Sequence, residues 1–153
     1  MHIEEHRGGL TLATDALRMD VAVIHRFLEE GSYWAQRIPL EVVARSLSHS
    51  LCFGVFDGEE QVAFARVISD HATYAYLCDV FVLEPYRGQG VGRWMMEAIG
   101  RHPALQGLRR WGLVTRDAHG LYAQFGYVPV ARPEDYMERV VPHPYGRPQA
   151  EEN

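Results

Sequence analysis

Apolar positions along the chain fall into blocks with two different periods. Asp20 precedes Val21, Ile24, Phe27 and Leu28 at helical spacing, and Gly31 ends the run, so a helix with an aspartate N-cap is predicted. Pro39 suits the first turn of a second short helix, striped by Leu40, Val43, Ala44 and Leu47. Before these, Gly8 to Leu12 opens a short first strand. From Leu51 the pattern becomes strand-like over residues 51–56, 61–68 and 74–83, with Asp57-Gly58 as a hairpin signal and Ser69 to Thr73 as a turn. Three successive antiparallel strands follow from this. Pro85 closes the third, and a glycine-rich turn leads into a helix with Val91, Trp94, Met95, Ala98, Ile99 and His102 on one face, ended by Pro103. Residues 111–114 read as a buried strand, and residues 118–125 as a short helix capped by Gly126. Residues 127–130 and 136–141 read as two further strands, and the tail from about 142 as loose. The order is helices, an antiparallel sheet, then a β-α-β-α-β run: one α/β domain over residues 1–153 with a mixed sheet.

Composition narrows the function classes. A chain of 153 residues with 47 % hydrophobic content suits one domain with a real core. It has no apolar run long enough to cross a membrane, and its polar, acidic N-terminus is not a signal peptide, which points to the cytoplasm. A net charge of −5 argues against a nucleic-acid binder. Cys52 and Cys78 lie in apolar runs without metal-ligand spacing and read as buried thiols; the eight histidines are scattered, so no metal is expected. Neither G-x-S-x-G nor H-E-x-x-H occurs, which leaves no hydrolase signature.

The most informative stretch is Arg87-Gly88-Gln89-Gly90-Val91-Gly92, between an apolar strand and an amphipathic helix. The first amides of a helix have no intrahelical acceptor and sit at the positive end of its dipole. Glycines let a ligand approach those amides, and Arg87 and Arg93 add positive charge, so the turn suits a pyrophosphate. A P-loop is excluded because all 15 basic residues are arginine. The dinucleotide fingerprint fails because Arg93 stands where its last glycine belongs. The pattern R/Q-x-x-G-x-G/A matches at Arg87, Gly90 and Gly92.

On these residues the chain resembles the GNAT superfamily, the GCN5-related N-acetyltransferases. The segment from Phe81-Val82-Leu83-Glu84-Pro85 through Gly92 resembles the family's V-x-P-x-x-R-G-x-G-x-G, with proline one place late. Leu121-Tyr122 and Gly126 resemble its later L-Y-x-x-x-G-F, with Tyr127 in place of phenylalanine. The resemblance covers roughly residues 10–140 and is most specific over 76–130. It implies a mixed, mostly antiparallel central sheet flanked by helices. It also implies transfer of an acyl group, acetyl above all, from coenzyme A to a primary amine on a small molecule or peptide. The alternative is a non-catalytic acyl-CoA sensor or an interaction module of the same fold. Oligomeric state stays open, a homodimer included.

Residue by residue, the resemblance assigns the cofactor to the backbone of Phe81 and Val82, to Arg87, Gly88, Gln89, Gly90, Val91, Gly92 and Arg93, and to Thr115 and Ala118. Thr115 stands where the family often has an asparagine that meets the pantetheine arm. Tyr122 matches the tyrosine that protonates the departing thiolate; a phenol with a pKa near 10 is still protonated at neutral pH. Its alternative is a core tyrosine with an ordinary hydrogen bond. Asp79, acidic within an apolar strand and two positions before Phe81, could act as base, contact the amine, or simply pair with Arg66. Tyr33 and Trp34, on the segment joining the first two helices, fall where the family forms its acceptor pocket. Arg37 and Arg66 would suit a substrate carboxylate, and Asp79 a cationic amine; the sequence does not choose.

Overall fold

The computed structural model describes residues 2–146. A six-stranded sheet runs in sequence order: β1 (Glu4–Arg7), β2 (Leu10–Ala13), β3 (Leu51–Asp57), β4 (Glu60–Ser69), β5 (Tyr74–Val82) and β6 (Arg110–Leu113). All pairings are antiparallel except β5 with β6, which is parallel. The helices are α1 (Val21–Arg26), continued by a π-helical turn at Phe27–Gly31, then α2 (Leu40–Ser48), α3 (Val91–Arg101) and α4 (His119–Ala123).

The first strand comes as a hairpin rather than alone. Gly8 and Gly9, with φ of 55° and 82°, form its two-residue turn, the backbone that glycine adopts without strain. Asp20 caps α1, its Oδ1 accepting from the Val23 amide at 3.2 Å. Pro39 stands just before α2 instead of inside its first turn, and of the expected stripe only Val43 and Leu47 are buried, Leu40 and Ala44 being exposed.

Two apolar layers cover the two faces of the sheet. Ile24 and Leu28, and Val43 and Leu47 of α2, pack on Cys52, Phe56, Phe64 and Phe81. On the opposite face α3 packs Trp94, Met95, Ala98 and Ile99 on Phe53, Val55, Ala63, Ala65 and Leu77. Alternation along β3 and along β4 from Ala63 sends Phe53, Val55, Ala63, Ala65 and Val67 to the α3 layer and Cys52, Phe56 and Phe64 to the other, as a sheet covered on both faces requires.

Two expected strands are absent. Residues 127–130 and 136–141 join no sheet and, apart from half-buried Tyr127, are exposed, so β6 is the last strand among the described residues. Tyr127 is tied to α4 by its backbone N–H, which donates a hydrogen bond to the Tyr122 carbonyl at 3.2 Å, and a 3-10 turn at Pro133–Asp135 redirects the chain before Tyr136. Of the tail expected to be loose, residues 147–153 lie outside the described residues, while Tyr145 packs against the α1–α2 layer.

Candidate active site

β5 and β6 run side by side only from Tyr74 with Arg110 to Leu77 with Leu113. Beyond Leu113 the chain turns off, and β5 continues alone to Val82. The result is a fork in the sheet, with the backbone of residues 78–82 free of a strand on that side.

A bulge in β5 sits at this fork. Phe64 faces Phe81 and Arg66 faces Cys78, so the single residue Ala65 faces both Asp79 and Val80. Asp79 takes φ 55°, a left-handed conformation that aspartate tolerates better than most residues. The bulge resets the alternation: Ala75 and Leu77 pack in the α3 layer, and so do Val80 and Val82, three and five residues after Leu77. Simple alternation would have sent Asp79 to that layer too. Instead its carboxylate meets groups of the opposite face: Oδ1 accepts from Trp34 Nε1 at 3.0 Å, and Oδ2 from Arg66 Nε at 2.8 Å. The Arg66–Asp79 pair is mostly buried, with side chains 15 % and 11 % exposed. Arg66 also donates to Ser50 Oγ at 3.0 Å, so its guanidinium is held behind Asp79 and not at the open surface. Burial and the Asp79 carboxylate act on it in opposite directions, and its pKa ends above the usual arginine value. Cys52 and Cys78 flank Arg66 on the neighbouring strands, and burial raises their thiols to about 11 and about 12, so both remain unreactive thiols at neutral pH.

A cavity of about 280 Å³ opens through the fork. From the α1–α2 face it is lined by Tyr33, Trp34 and Asp79, and from the other by Thr115, Ala118 and Tyr122. Tyr33 and Trp34 meet edge to face with centroids 5.0 Å apart. The Tyr33 hydroxyl accepts from the Arg116 amide at 3.1 Å, while the Arg116 guanidinium lies 4.0 Å over its ring. Those two contacts pin the α1–α2 connection to the segment that follows β6.

Tyr122 is buried on α4, its ring at a steep angle to Tyr127 with centroids 6.0 Å apart. Among the described residues its hydroxyl has no hydrogen-bond partner, although the ring lines the cavity. A core tyrosine would normally satisfy that hydroxyl. Burial, with smaller contributions from Tyr33 and Asp117, pushes its pKa above the ordinary phenol value, so the proton is present at neutral pH. Thr115, where the family often has an asparagine, uses Oγ1 to accept from the Ala118 amide at 3.1 Å and so closes the turn that leads into α4. His119 is exposed on the outer side of that helix.

The glycine turn lies where β5 leads into α3. Gly88 and Gly90 have φ of 77° and 80°, so both need the left-handed region. The first intrahelical bond of α3 runs from the Trp94 amide to the Gly90 carbonyl at 2.9 Å, leaving the amides of Val91, Gly92 and Arg93 at the open helix end. A Cβ on Gly92 would come within 3.9 Å of Leu121 and 4.0 Å of Val82, which brings the turn close to α4. Arg87 is exposed, donates through Nε to the Val82 carbonyl at 2.8 Å, and forms no ion pair among the described residues. Arg93 differs: it is engaged by Gln124, by Glu97 at 3.5 Å and by the Phe125 ring. Gln89 turns back to the Pro85 carbonyl at 3.2 Å. These residues fit an anionic cofactor: left-handed glycines, unpaired helix amides and one unpaired guanidinium share a single exposed turn.

Of the residues singled out from sequence, Tyr33, Trp34, Asp79, Thr115, Ala118 and Tyr122 converge on the cavity. Arg66 does not line it but supports Asp79 from behind. The side chains of Phe81 and Val82 belong to the two core layers, Phe81 stacked on Phe27 at 4.1 Å. Tyr76 and Asp117 also line the cavity and had been missed. Asp117 lies two residues after Thr115, and Tyr76 alternates with Cys78 on β5, a relation that becomes informative only once the fork is known.

Comparison with known proteins agrees with this architecture. The model of the acetyltransferase (GNAT) domain matches residues 48–129, which span the fork, the glycine turn and α4. A protein of Gibberella zeae that carries the name of an acetyltransferase is 31 % identical over 140 residues, covering 77 % of this chain and 78 % of its own. A crystal structure from Xanthomonas campestris, described as belonging to the GNAT family, is 51 % identical with a TM-score of 0.89, over 93 % of this chain and all of that one. A Clostridium acetobutylicum structure, described as containing acetyl-CoA, shares the fold at TM-score 0.63 with 14 % identity, over 92 % of this chain and 96 % of that one.

Proposed function

Because this chain belongs to the GNAT family of acetyltransferases, we propose that it transfers an acetyl group from acetyl-CoA to a primary amine that enters the fork as a cation. Bound acetyl-CoA supplies an acyl group already activated as a thioester. The amides at the start of α3 and the Arg87 guanidinium would hold its pyrophosphate. The backbone of β5 beyond Leu77, unpaired on its β6 side, and the Thr115–Ala118 turn would line the path toward the thioester.

The observation that carries the reading is the unpartnered hydroxyl of Tyr122 in a cavity that also contains Asp79. In this reading Tyr122 gives its proton to the sulfur as the C–S bond breaks and the amine nitrogen forms the new C–N bond. The Asp79 carboxylate orients the ammonium and receives, directly or through water, the proton it must lose before attack. Each Asp79 oxygen already accepts one N–H, and a carboxylate oxygen has room for a second. A cationic amine is favoured over a substrate carboxylate because, among the described residues, the cavity lining contains Asp79 and Asp117 and no arginine, Arg66 being turned to Asp79. Tyr33, Trp34 and Tyr76 offer flat apolar surface for the rest of the acceptor.

The test is a screen of amines with acetyl-CoA, read by release of free thiol. Turnover is expected with cationic primary amines that have an apolar or aromatic body, and not with the corresponding acids. A protein that binds acetyl-CoA but turns over no amine in a broad panel would instead favour an acyl-CoA sensor.

A further inference from the structure

Toward the α1–α2 layer the fork cavity ends at a row of aromatic rings. Tyr33, Trp34, Phe27 and Phe81 follow one another with centroid separations of 5.0, 6.3 and 4.1 Å. Phe27 is fixed at its end of the row. Its ring is stacked on Phe81 and lies so close to Gly31 that a Cβ there would meet it at 3.4 Å. At the other end Tyr33 is held by Arg116, whose amide donates to its hydroxyl and whose guanidinium covers its ring.

Trp34, between them, separates two cavities. It lines the fork cavity, and Phe27 does not. Phe27 lines a groove of about 310 Å³ with Val23, Gly31 and Leu83, and Trp34 does not. The tilted contact between the two rings is therefore the partition. The indole is 44 % exposed and is kept in place by its Nε1–H, which donates to Asp79 Oδ1 at 3.0 Å. Tyr122 and Asp79 line the fork from opposite sides. A thioester with its sulfur at Tyr122 has its acyl group between them, and each added methylene carries the chain toward the row of rings.

We propose that Trp34 is the residue that confines the acyl group to acetyl; this rests on the reading that acetyl-CoA binds at the fork. A longer chain must displace packed rings, and overfilling a packed apolar site is unfavourable. Without the indole the fork cavity joins the groove behind it, and the added methylenes gain the apolar surface of Phe27 and Leu83. Asp79 then has a second task. The carboxylate that meets the amine also holds the end wall, so acyl selection depends on the same bulge in β5.

Calorimetry with acetyl-, butanoyl- and hexanoyl-CoA tests this without an acceptor amine. The wild type should bind acetyl-CoA at least about tenfold more tightly than hexanoyl-CoA, the scale on which a filled apolar pocket discriminates. Trp34→Ala should bind acetyl-CoA within about threefold of wild type, since the side chain is half exposed, and hexanoyl-CoA at least as tightly as acetyl-CoA. Trp34→Leu leaves a shorter apolar side chain and should admit butanoyl-CoA while still disfavouring hexanoyl-CoA; it carries the test if the alanine variant does not fold. Circular dichroism verifies the fold of both. Equal affinity of the wild type for acetyl- and hexanoyl-CoA would overturn the proposal and leave the acetyltransferase reading intact. Wild-type selectivity retained in the folded variants would overturn it too, because the wall would then lie elsewhere. A wild type that binds none of the three thioesters would instead overturn the fork as the cofactor site, and the acyl limit with it.

Discussion

Replacing Asp79 by asparagine tests how the fork is held. The substitution keeps the shape of the side chain and a residue type that tolerates φ 55°, so it removes charge without adding backbone strain. The Trp34 bond at 3.0 Å can survive on the amide oxygen, while Arg66, 15 % exposed, loses its anionic partner. Breaking a buried ion pair from one side typically costs about 3–5 kcal/mol, and the retained hydrogen bond and residual solvent contact place this case near 2–3 kcal/mol. For a chain of this size that corresponds to a fall in Tm of roughly 5–10 °C. Arg66→Met should cost a similar amount, because it strands the carboxylate instead. The double variant should be more stable than the sum of the two losses implies, by more than about 1 kcal/mol, since neither charge is then left alone. Urea unfolding of the four proteins measures this cycle. Additive losses would mean that the pair does not hold the bulge, and the reasoning that places Asp79 at the fork through Arg66 would fail.

Two further predictions concern the cofactor turn and pH. Gly90→Asp puts a carboxylate and a Cβ at φ 80° beside the open amides of α3, so calorimetry should show acetyl-CoA affinity strongly reduced; unchanged affinity would remove the pyrophosphate from this turn. His102 is buried, with Nδ1 accepting from the Ala104 amide at 3.1 Å, Nε2 without a partner among the described residues, and burial holding its pKa below the ordinary 6.5. As pH falls below about 6.5 the unfolded chain takes up a proton at this position that the folded chain refuses, so stability should drop until the lower folded value is reached, at up to about 1.4 kcal/mol per pH unit. His102→Asn keeps an acceptor for the Ala104 amide and should flatten that slope in urea titrations; an unchanged slope would assign the acid sensitivity elsewhere.

Much of the fold could be read from local pattern, and the failures have physical causes. Asp57-Gly58 and the strands around it were legible because turn chemistry and alternation agree there. The Asp20 cap was legible for the same reason. The first hairpin was half seen: the glycine pair was noticed, but Glu4–Arg7 is too polar to look like a strand, since it is an exposed edge. Residues 127–130 and 136–141 have strand-like sequences but no partner strand among the described residues, and pairing is a tertiary property that propensity cannot supply. At the site, the glycine turn and Tyr122 lie in contiguous motifs. The orientation of Asp79 depends on a bulge with no sequence signature, and the presence of Tyr76 and Asp117 in the cavity depends on where two strands part.

Tyr122→Phe gives the most direct test of the proposed chemistry. The change keeps the ring against Tyr127 and breaks no hydrogen bond within the described residues, so stability should stay within about 0.5 kcal/mol of wild type. Acetyl-CoA should bind as before. With an amine that the wild type acetylates, and under conditions where chemistry limits turnover, kcat should fall by roughly ten- to a thousand-fold with KM for the amine little changed, because a positioned proton donor acts in the transition state. A folded Tyr122→Phe protein that binds acetyl-CoA and retains the wild-type kcat would contradict the role of Tyr122 as the acid.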